Sequence, residues 1–289
     1  MSEAARNSGT GVRVATAVVL LPVAVAAVWW GPTALVAALV AAAVGVSLWE
    51  FFALGERQGL KGFRSWTLLC AVVLIVSQLS TAGIHSISLG GNSLLFVDAP
   101  ELPQEVVLLV FVLGLAAQVV FGKRALSEAL PSLAISAAGL LLVAWPLSYI
   151  VRLHAMESGP LWLLFTLALI WTGDTLAYFT GRSIGRLPMA RQISPKKTWE
   201  GAAGNLVGSL LVAAVFGRSL DVGITHLMAI AVLANVAGQM GDLVESVYKR
   251  GAGVKDSGTL LPGHGGMLDR IDALIFAAPV VWAYMFWVL

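Results

Sequence analysis

Between Asp174 and Asp272 the sequence gathers about half of its charged residues, although most of three apolar runs lie in the same stretch. Asp174 stands inside one of these runs, in WTGDTLAYFTGR, beside Thr172 and Thr175. An ionisable group at membrane depth is costly enough to point to function. Asp242 and Glu245 lie near the end of another run, and Asp269 and Asp272 open the last one. Each pair has the i, i+3 spacing that puts both carboxylates on one helix face. Carboxylate pairs on neighbouring helix ends suit a hard cation such as Mg²⁺, which takes carboxylate oxygens together with substrate phosphates. A structural role competes with each pair. Acids in a first helical turn complement the helix dipole, and Glu245 with Lys249 forms an i, i+4 ion pair.

The bases of this region fall in two loops. Residues 181–201 read GRSIGRLPMARQISPKKTWEG, with Ser194, Lys196, Lys197, Thr198 and Glu200 forming a polar stretch before the next apolar run. Lysines here would also serve simply to mark the side of the membrane. In residues 241–272, Gly251, Gly253, Gly258, Gly263, Gly265 and Gly266 interleave with Lys249, Arg250, Lys255 and His264. Backbone N–H groups in such a loop can approach phosphates closely, yet the pattern is neither a Walker A sequence nor GxGxxG. His264 taken alone reads as an ordinary loop histidine. Bases, acids and glycines collected at a bilayer edge suit a polyanionic soluble substrate meeting a lipid, and so metal-assisted phosphoryl or nucleotidyl transfer.

Composition dictates the elements that must position these residues. Of 289 residues, 58% are hydrophobic and 12% charged, against about 45–50% and about 25% in soluble domains. Thirty-four charges cannot cover a soluble globule of this size, and a disordered chain would not carry 10 Trp and 11 Phe. The single cysteine, Cys70, excludes an internal disulfide. Nothing points to nucleic acid, and there is no convincing internal repeat.

Nine apolar runs are expected to span a membrane: Val14 to Trp30, Thr33 to Leu54, Trp66 to Ile84, Val106 to Phe121, Leu133 to Val151, Leu161 to Thr180, Ala202 to Phe216, His226 to Val247 and Met267 to Leu289. The first reads as a span rather than a cleaved signal, because Trp29 and Trp30 stand where small residues would be needed. The stretch from His85 to Gln104 reads as a link between spans. With the N-terminus cytoplasmic, 16 of the 18 Lys and Arg fall inside and only Arg152 and Arg218 outside, a strong positive-inside bias. The expectation is an all-α polytopic membrane protein of about nine helices.

The second loop resembles the signature of the phosphatidate cytidylyltransferases, or CDP-diacylglycerol synthases. Ser246, Lys249-Arg250, Lys255-Asp256, Gly258, Leu261-Pro262, His264-Gly265-Gly266, Asp269-Arg270 and Asp272 stand at the family's spacing. Tyr248 departs from the family's usual aliphatic residue or Phe. SPKKTWEG, and DTLAYFTGR around Asp174, are similar to two further family segments, so the resemblance covers roughly the C-terminal 40%. It implies that a nucleotidyltransferase moves CMP from CTP to phosphatidate, giving CDP-diacylglycerol and pyrophosphate, in a helical membrane fold that forms a homodimer. It also implies a metal centre of Mg²⁺, with K⁺ as a second ion, held by Asp242 and Asp269.

The remaining positions are assigned by chemistry: Asp272 and Asp174 as further metal ligands, and Lys249, Arg250, Lys255 and His264 in catalysis. Ser194, Lys196, Lys197, Thr198, Glu200, Asp256 and Arg270 are assigned to substrate binding. His264 is expected to donate to a phosphate rather than act as a base. Residues 1–130 are expected to be scaffold or lipid-facing and residues 131–289 catalytic, in one unit. The expected location is a bacterial plasma membrane, with the site facing the cytoplasm. Two rivals remain: a CTP-dependent polyprenol kinase, which would transfer the γ-phosphate, and a lipid transporter. Against the transporter, the acids cluster on one side and no inverted repeat is visible.

Overall fold

A computed structural model of the chain describes residues 21–81, 86–89, 92–96, 102–260 and 265–289. Apolar runs without water to pair their backbone must satisfy it internally, and they do so as helices. These are α1 (Leu21–Trp30, as far as it is described), α2 (Thr33–Arg57), α3 (Arg64–Thr81), α4 (Gln104–Phe121), α5 (Leu126–Gly139), α6 (Trp145–Ala155), α7 (Gly159–Ile184), α8 (Trp199–Phe216), α9 (Ile224–Gly251) and α10 (Leu268–Val288).

Among the described residues seven helical stretches are long and apolar enough to cross a membrane, one of them the continuous Leu126–Ala155 that joins α5 to α6. Of the nine expected runs, the second and the fourth to ninth correspond to these seven. The third is the shorter helix α3, and the first lies partly outside the described residues. The fold is that of an integral membrane protein, mostly helical. This is consistent with the expected all-α class, and two small antiparallel hairpins accompany the helices, β1 (Ser86–Leu89) with β2 (Asn92–Phe96) and β3 (Pro188–Ala190) with β4 (Ser194–Thr198). The first hairpin occupies part of the stretch read as a plain link.

Between α5 and α6, Leu140–Ala144 widens into a π-helix. Pro146 lacks the N–H that an α-helix would return to the carbonyl four residues back, and the local widening absorbs that missing bond. At the end away from the loops, Arg152 donates to the Gln78 side chain and lies over the rings of Tyr149 and Trp282, at 5.5 and 5.2 Å, tying α3, α6 and α10 together.

Small residues bring the C-terminal helices to backbone contact. A Cβ at Gly208 of α8 would lie 3.1 Å from the Gly173 backbone of α7, and one at Gly201 would lie 3.2 Å from the Ala177 carbonyl. In α9, a Cβ at Gly241 would overlap the Asp272 carbonyl of α10. Lipid tails supply no hydrophobic drive for helix pairing, so close backbone approach of this kind carries the association. At 28 residues α9 is about 42 Å long, beyond the ~30 Å of a hydrocarbon core, so its last turns with Lys249 and Arg250 rise toward the interface.

Candidate active site

Five elements meet around a cavity of about 260 Å³: the C-terminal half of α7, strands β3 and β4, the start of α8 and the middle of α9. Asp174, Lys196, Lys197, Thr198, Asn205, Gln239 and Asp242 line it. The hairpin β3–β4 is what delivers the two lysines. Thr198 ends the strand and caps α8, its hydroxyl accepting from Gly201 N at 3.1 Å. Glu200 accepts from Leu187 N at 3.2 Å and pins the hairpin's other arm. Ser194 opens β4 opposite Ala190. Lys196 is exposed toward the cavity mouth, and Lys197 forms an ion pair with Asp242.

Below the cavity the polar groups continue as a ladder. Asn205 Nδ2 donates to Asp174 Oδ1 at 3.1 Å; Asn235 Nδ2 donates to Asn205 Oδ1 at 2.5 Å and to Ser209 Oγ at 2.7 Å. Gln239 Nε2 donates to Asn235 Oδ1 at 2.6 Å. Every amide has a partner, as burial at membrane depth requires. The ladder fixes Asp174, about 15 Å below the end of α7. None of Asn205, Asn235 or Gln239 is singled out by sequence, because an amide inside an apolar run bears no charge to mark it.

The i, i+3 acid pairs do not act as pairs. Asp242 turns to Lys197, whereas Glu245 turns to Lys249. Asp272 lies beside α9 at Gly241, close enough for its charge to interact with those of Asp242 and Asp174. Asp269 faces the other way. Its Oδ1 accepts from Lys249 Nζ at 2.6 Å; its Oδ2 accepts from Ser257 N at 2.8 Å and Gly266 N at 2.9 Å, with Ser257 Oγ at 3.0 Å. Lys249 is thus held between Glu245, which is 3% exposed, and Asp269. One acid group is Asp174, Asp242 and Asp272 with Lys197; the other is Glu245 and Asp269 with Lys249.

The second loop is closed by its own chain. Gly253, at φ +69°, ends α9 in a Schellman turn, with Gly253 N on Arg250 O at 3.1 Å and Val254 N on Lys249 O at 2.9 Å. Arg250 donates to Ile193 O at 3.1 Å and to Val254 O at 3.0 Å, joining the two loops. Lys255, Asp256 and Arg270 are exposed. His264 lies outside the described residues. Three of the glycines expected to approach phosphates lie against carboxylates of the protein, while Gly251 faces Gln58 and Gly263 lies outside the described residues. Gly265, at φ +83°, faces Asp269, and a Cβ at Gly258 or Gly266 would overlap Glu50.

Glu50, on α2, is the residue that sequence reasoning misses. It is 5% exposed and accepts from Met267 N at 3.0 Å, Leu268 N at 2.9 Å and Ser257 Oγ at 3.0 Å. The N-terminal helices therefore contribute one buried carboxylate to the second loop.

Mg²⁺ is the ion the residues suit. The donor set fits it: Asp174, Asp242 and Asp272 bring carboxylate oxygens to one region, with Lys197 as the ammonium paired to Asp242. Among the described residues no three acid, histidine or cysteine side chains converge to hold an ion by themselves. Mg²⁺ does not require that, since it binds one or two carboxylates and completes its octahedron with water and substrate phosphates.

The model of the cytidylyltransferase family matches residues 11–288. The chain belongs to that family. It is 42% identical over 142 residues to a phosphatidate cytidylyltransferase of Haemophilus influenzae, covering 47% of this chain and 49% of that one. It is 40% identical over 137 residues to one of Bacillus subtilis (46% and 51%), and 44% over 126 residues to one of Brucella abortus (42% and 46%). The matched stretch spans about half the length of these relatives. The lysine-lined cavity lies between helices long and apolar enough to cross a membrane.

Proposed function

We propose that this cytidylyltransferase transfers CMP from CTP to phosphatidate, releasing pyrophosphate and leaving CDP-diacylglycerol in the membrane. The observation that carries it is the cavity in which Lys196, Lys197, Asp174 and Asp242 meet between membrane-spanning helices. The names of the relatives give the acceptor.

The chemistry asks little of a general base. Phosphatidate is a phosphate monoester with a second pKa near ~6, so at cytoplasmic pH its headgroup is largely a dianion and already nucleophilic. The obstacle is repulsion between that dianion and a triphosphate carrying about four charges, severe in a poorly hydrated site. Lys196 and Lys197 meet the phosphates in the cavity, while Arg250 holds the two loops in register and Lys255 and Arg270 add charge at the mouth. Lys249 holds Asp269 in place. His264, in the same loop, donates to a phosphate. Asp242 and Asp272, with Asp174 near them, would hold Mg²⁺, which would supply charge neutralisation of the triphosphate and polarisation at the α-phosphorus, and Asp269, turned to Lys249 and the loop N–H groups, would orient that loop. K⁺ as a second ion, and the homodimer, belong to the same proposal through the family resemblance.

The proposal includes nine spans with the N-terminus and both loops in the cytoplasm of a bacterial inner membrane. Sixteen of 18 basic residues on one side support that orientation. CTP then reaches the site from the cytosol, while the lipid's acyl chains never leave the bilayer.

The test is pyrophosphate release by the purified protein in mixed micelles. Release should require both CTP and phosphatidate. Flux of lipid across proteoliposomes without nucleotide would favour a transporter instead.

A further inference from the structure

We propose that Glu50 is a positioning residue for the transfer reaction: from the N-terminal half of the chain it holds Ser257, Met267 and Leu268, and through them the carboxylate of Asp269. The inference rests on the proposed function insofar as it concerns turnover; its structural part stands independently.

The geometry is that of a clamp. A carboxylate 5% exposed within a membrane helix needs compensation. Glu50 finds it in two successive backbone N–H groups, Met267 N and Leu268 N, at the start of α10, where the helix dipole also favours an anion. Its Oε2 is 3.0 Å from Ser257 Oγ as well. Ser257, itself a partner of Glu50, and Gly266, next to Met267, are the residues whose backbone N–H groups hold Asp269 Oδ2, at 2.8 and 2.9 Å. Glu50 and Asp269 therefore hold the same residues, Ser257 and the turn at Gly266–Leu268, and movement of either alters the seat of the other.

Two glycines record how closely the clamp fits. A side chain at Gly258 or Gly266 would occupy the space of the Glu50 carboxylate. The clamp also spans the molecule: the Ser257 contact joins residues 207 positions apart, so the loop's shape depends on a helix outside the cytidylyltransferase signature. Glu50 does not line the cavity, so its effect on turnover passes through Asp269.

The experiment uses the full chain in nanodiscs with Glu50→Gln, Glu50→Asp, Ser257→Ala and the double variant Glu50→Gln/Ser257→Ala. Glutamine keeps the size but turns a donor toward donors. Glu50→Gln should lower kcat on the order of 10- to 100-fold, with KM for CTP within about threefold of wild type, as expected of a displaced group. Glu50→Asp should recover part of the loss. The double variant should fall no more than about twofold below the worse single one, because both act on one segment. Hydrogen exchange in peptides covering 257–268 should rise roughly tenfold in Glu50→Gln while α7 and α8 stay protected.

Wild-type kcat together with unchanged exchange in Glu50→Gln would overturn the proposal, as would losses that multiply in the double variant. If Glu50→Gln does not fold, Gly258→Ala crowds the carboxylate without removing it, and should show the same kcat loss and the same local exchange; normal kcat there would refute the clamp. Should the wild type lack cytidylyl transfer altogether, the proposed function fails, while the exchange readout still decides whether Glu50 holds the loop.

Discussion

Glu50 and Asp269 meet across a single hydroxyl: Ser257 Oγ lies 3.0 Å from Glu50 Oε2 and 3.0 Å from Asp269 Oδ2. A serine has one proton to donate, so it serves one carboxylate at a time, and the other relies on backbone N–H groups. Both carboxylates have two such groups, which is how two acids can face each other in a buried place.

Asp269→Asn should therefore disturb the loop as well as remove a carboxylate. The amide would present a donor to Ser257 N and Gly266 N, and Lys249 would lose one of its two counter-charges. Turnover of the purified, folded variant should fall by about 10²-fold or more. Near wild-type kcat would remove Asp269 from the site.

Lys197 is the base that touches an acid inside the cavity. Lys197→Gln should raise KM for CTP by roughly 10- to 100-fold, the worth of a hydrogen bond to a charged group. Lys197→Arg should recover only part of this, since a planar fork does not reproduce a point charge. Steady-state kinetics at fixed phosphatidate would measure both.

Removal of divalent cations should abolish turnover, and Mg²⁺ should restore it. Asp242→Asn and Asp272→Asn should each raise the Mg²⁺ needed for half-maximal rate by about tenfold or more. An unchanged Mg²⁺ requirement in both would mean that neither carboxylate holds the ion.

Gly173→Ala tests the packing beneath the site. A Cβ there would overlap Asn205 Oδ1, which is held by Asn235 and cannot swing away. The expected cost is about 1–3 kcal/mol of stability, from strain of an overpacked contact. Thermal unfolding in detergent would read it, and a variant as stable as wild type would show that the amide ladder can yield.

Much of the fold was legible because a membrane span announces itself as some twenty apolar residues, and the runs from Thr33 onward each found a helix. The two hairpins were not, since SPKKT has no alternating apolar face and owes its strand to pairing with Pro188–Ala190. The membership of the site was legible in part: Asp174, Lys196, Lys197 and Asp242 do line one cavity. The partners were not. Side chains three apart on a helix diverge by about 60°, enough to reach two different neighbours, so Asp242 and Glu245 chose separate lysines. The rule that marks Asp174, an acid inside an apolar run, applies equally to Glu50. Nothing in the sequence, however, says that its partner lies 207 residues away.

The most direct test of the central claim follows the α-phosphate of CTP. With CTP labelled at that position and phosphatidate supplied, the label should enter the organic, lipid-containing phase, and should remain in water when phosphatidate is omitted. Label that stays in water while the γ-phosphate moves into lipid would contradict the account and make the protein a lipid kinase.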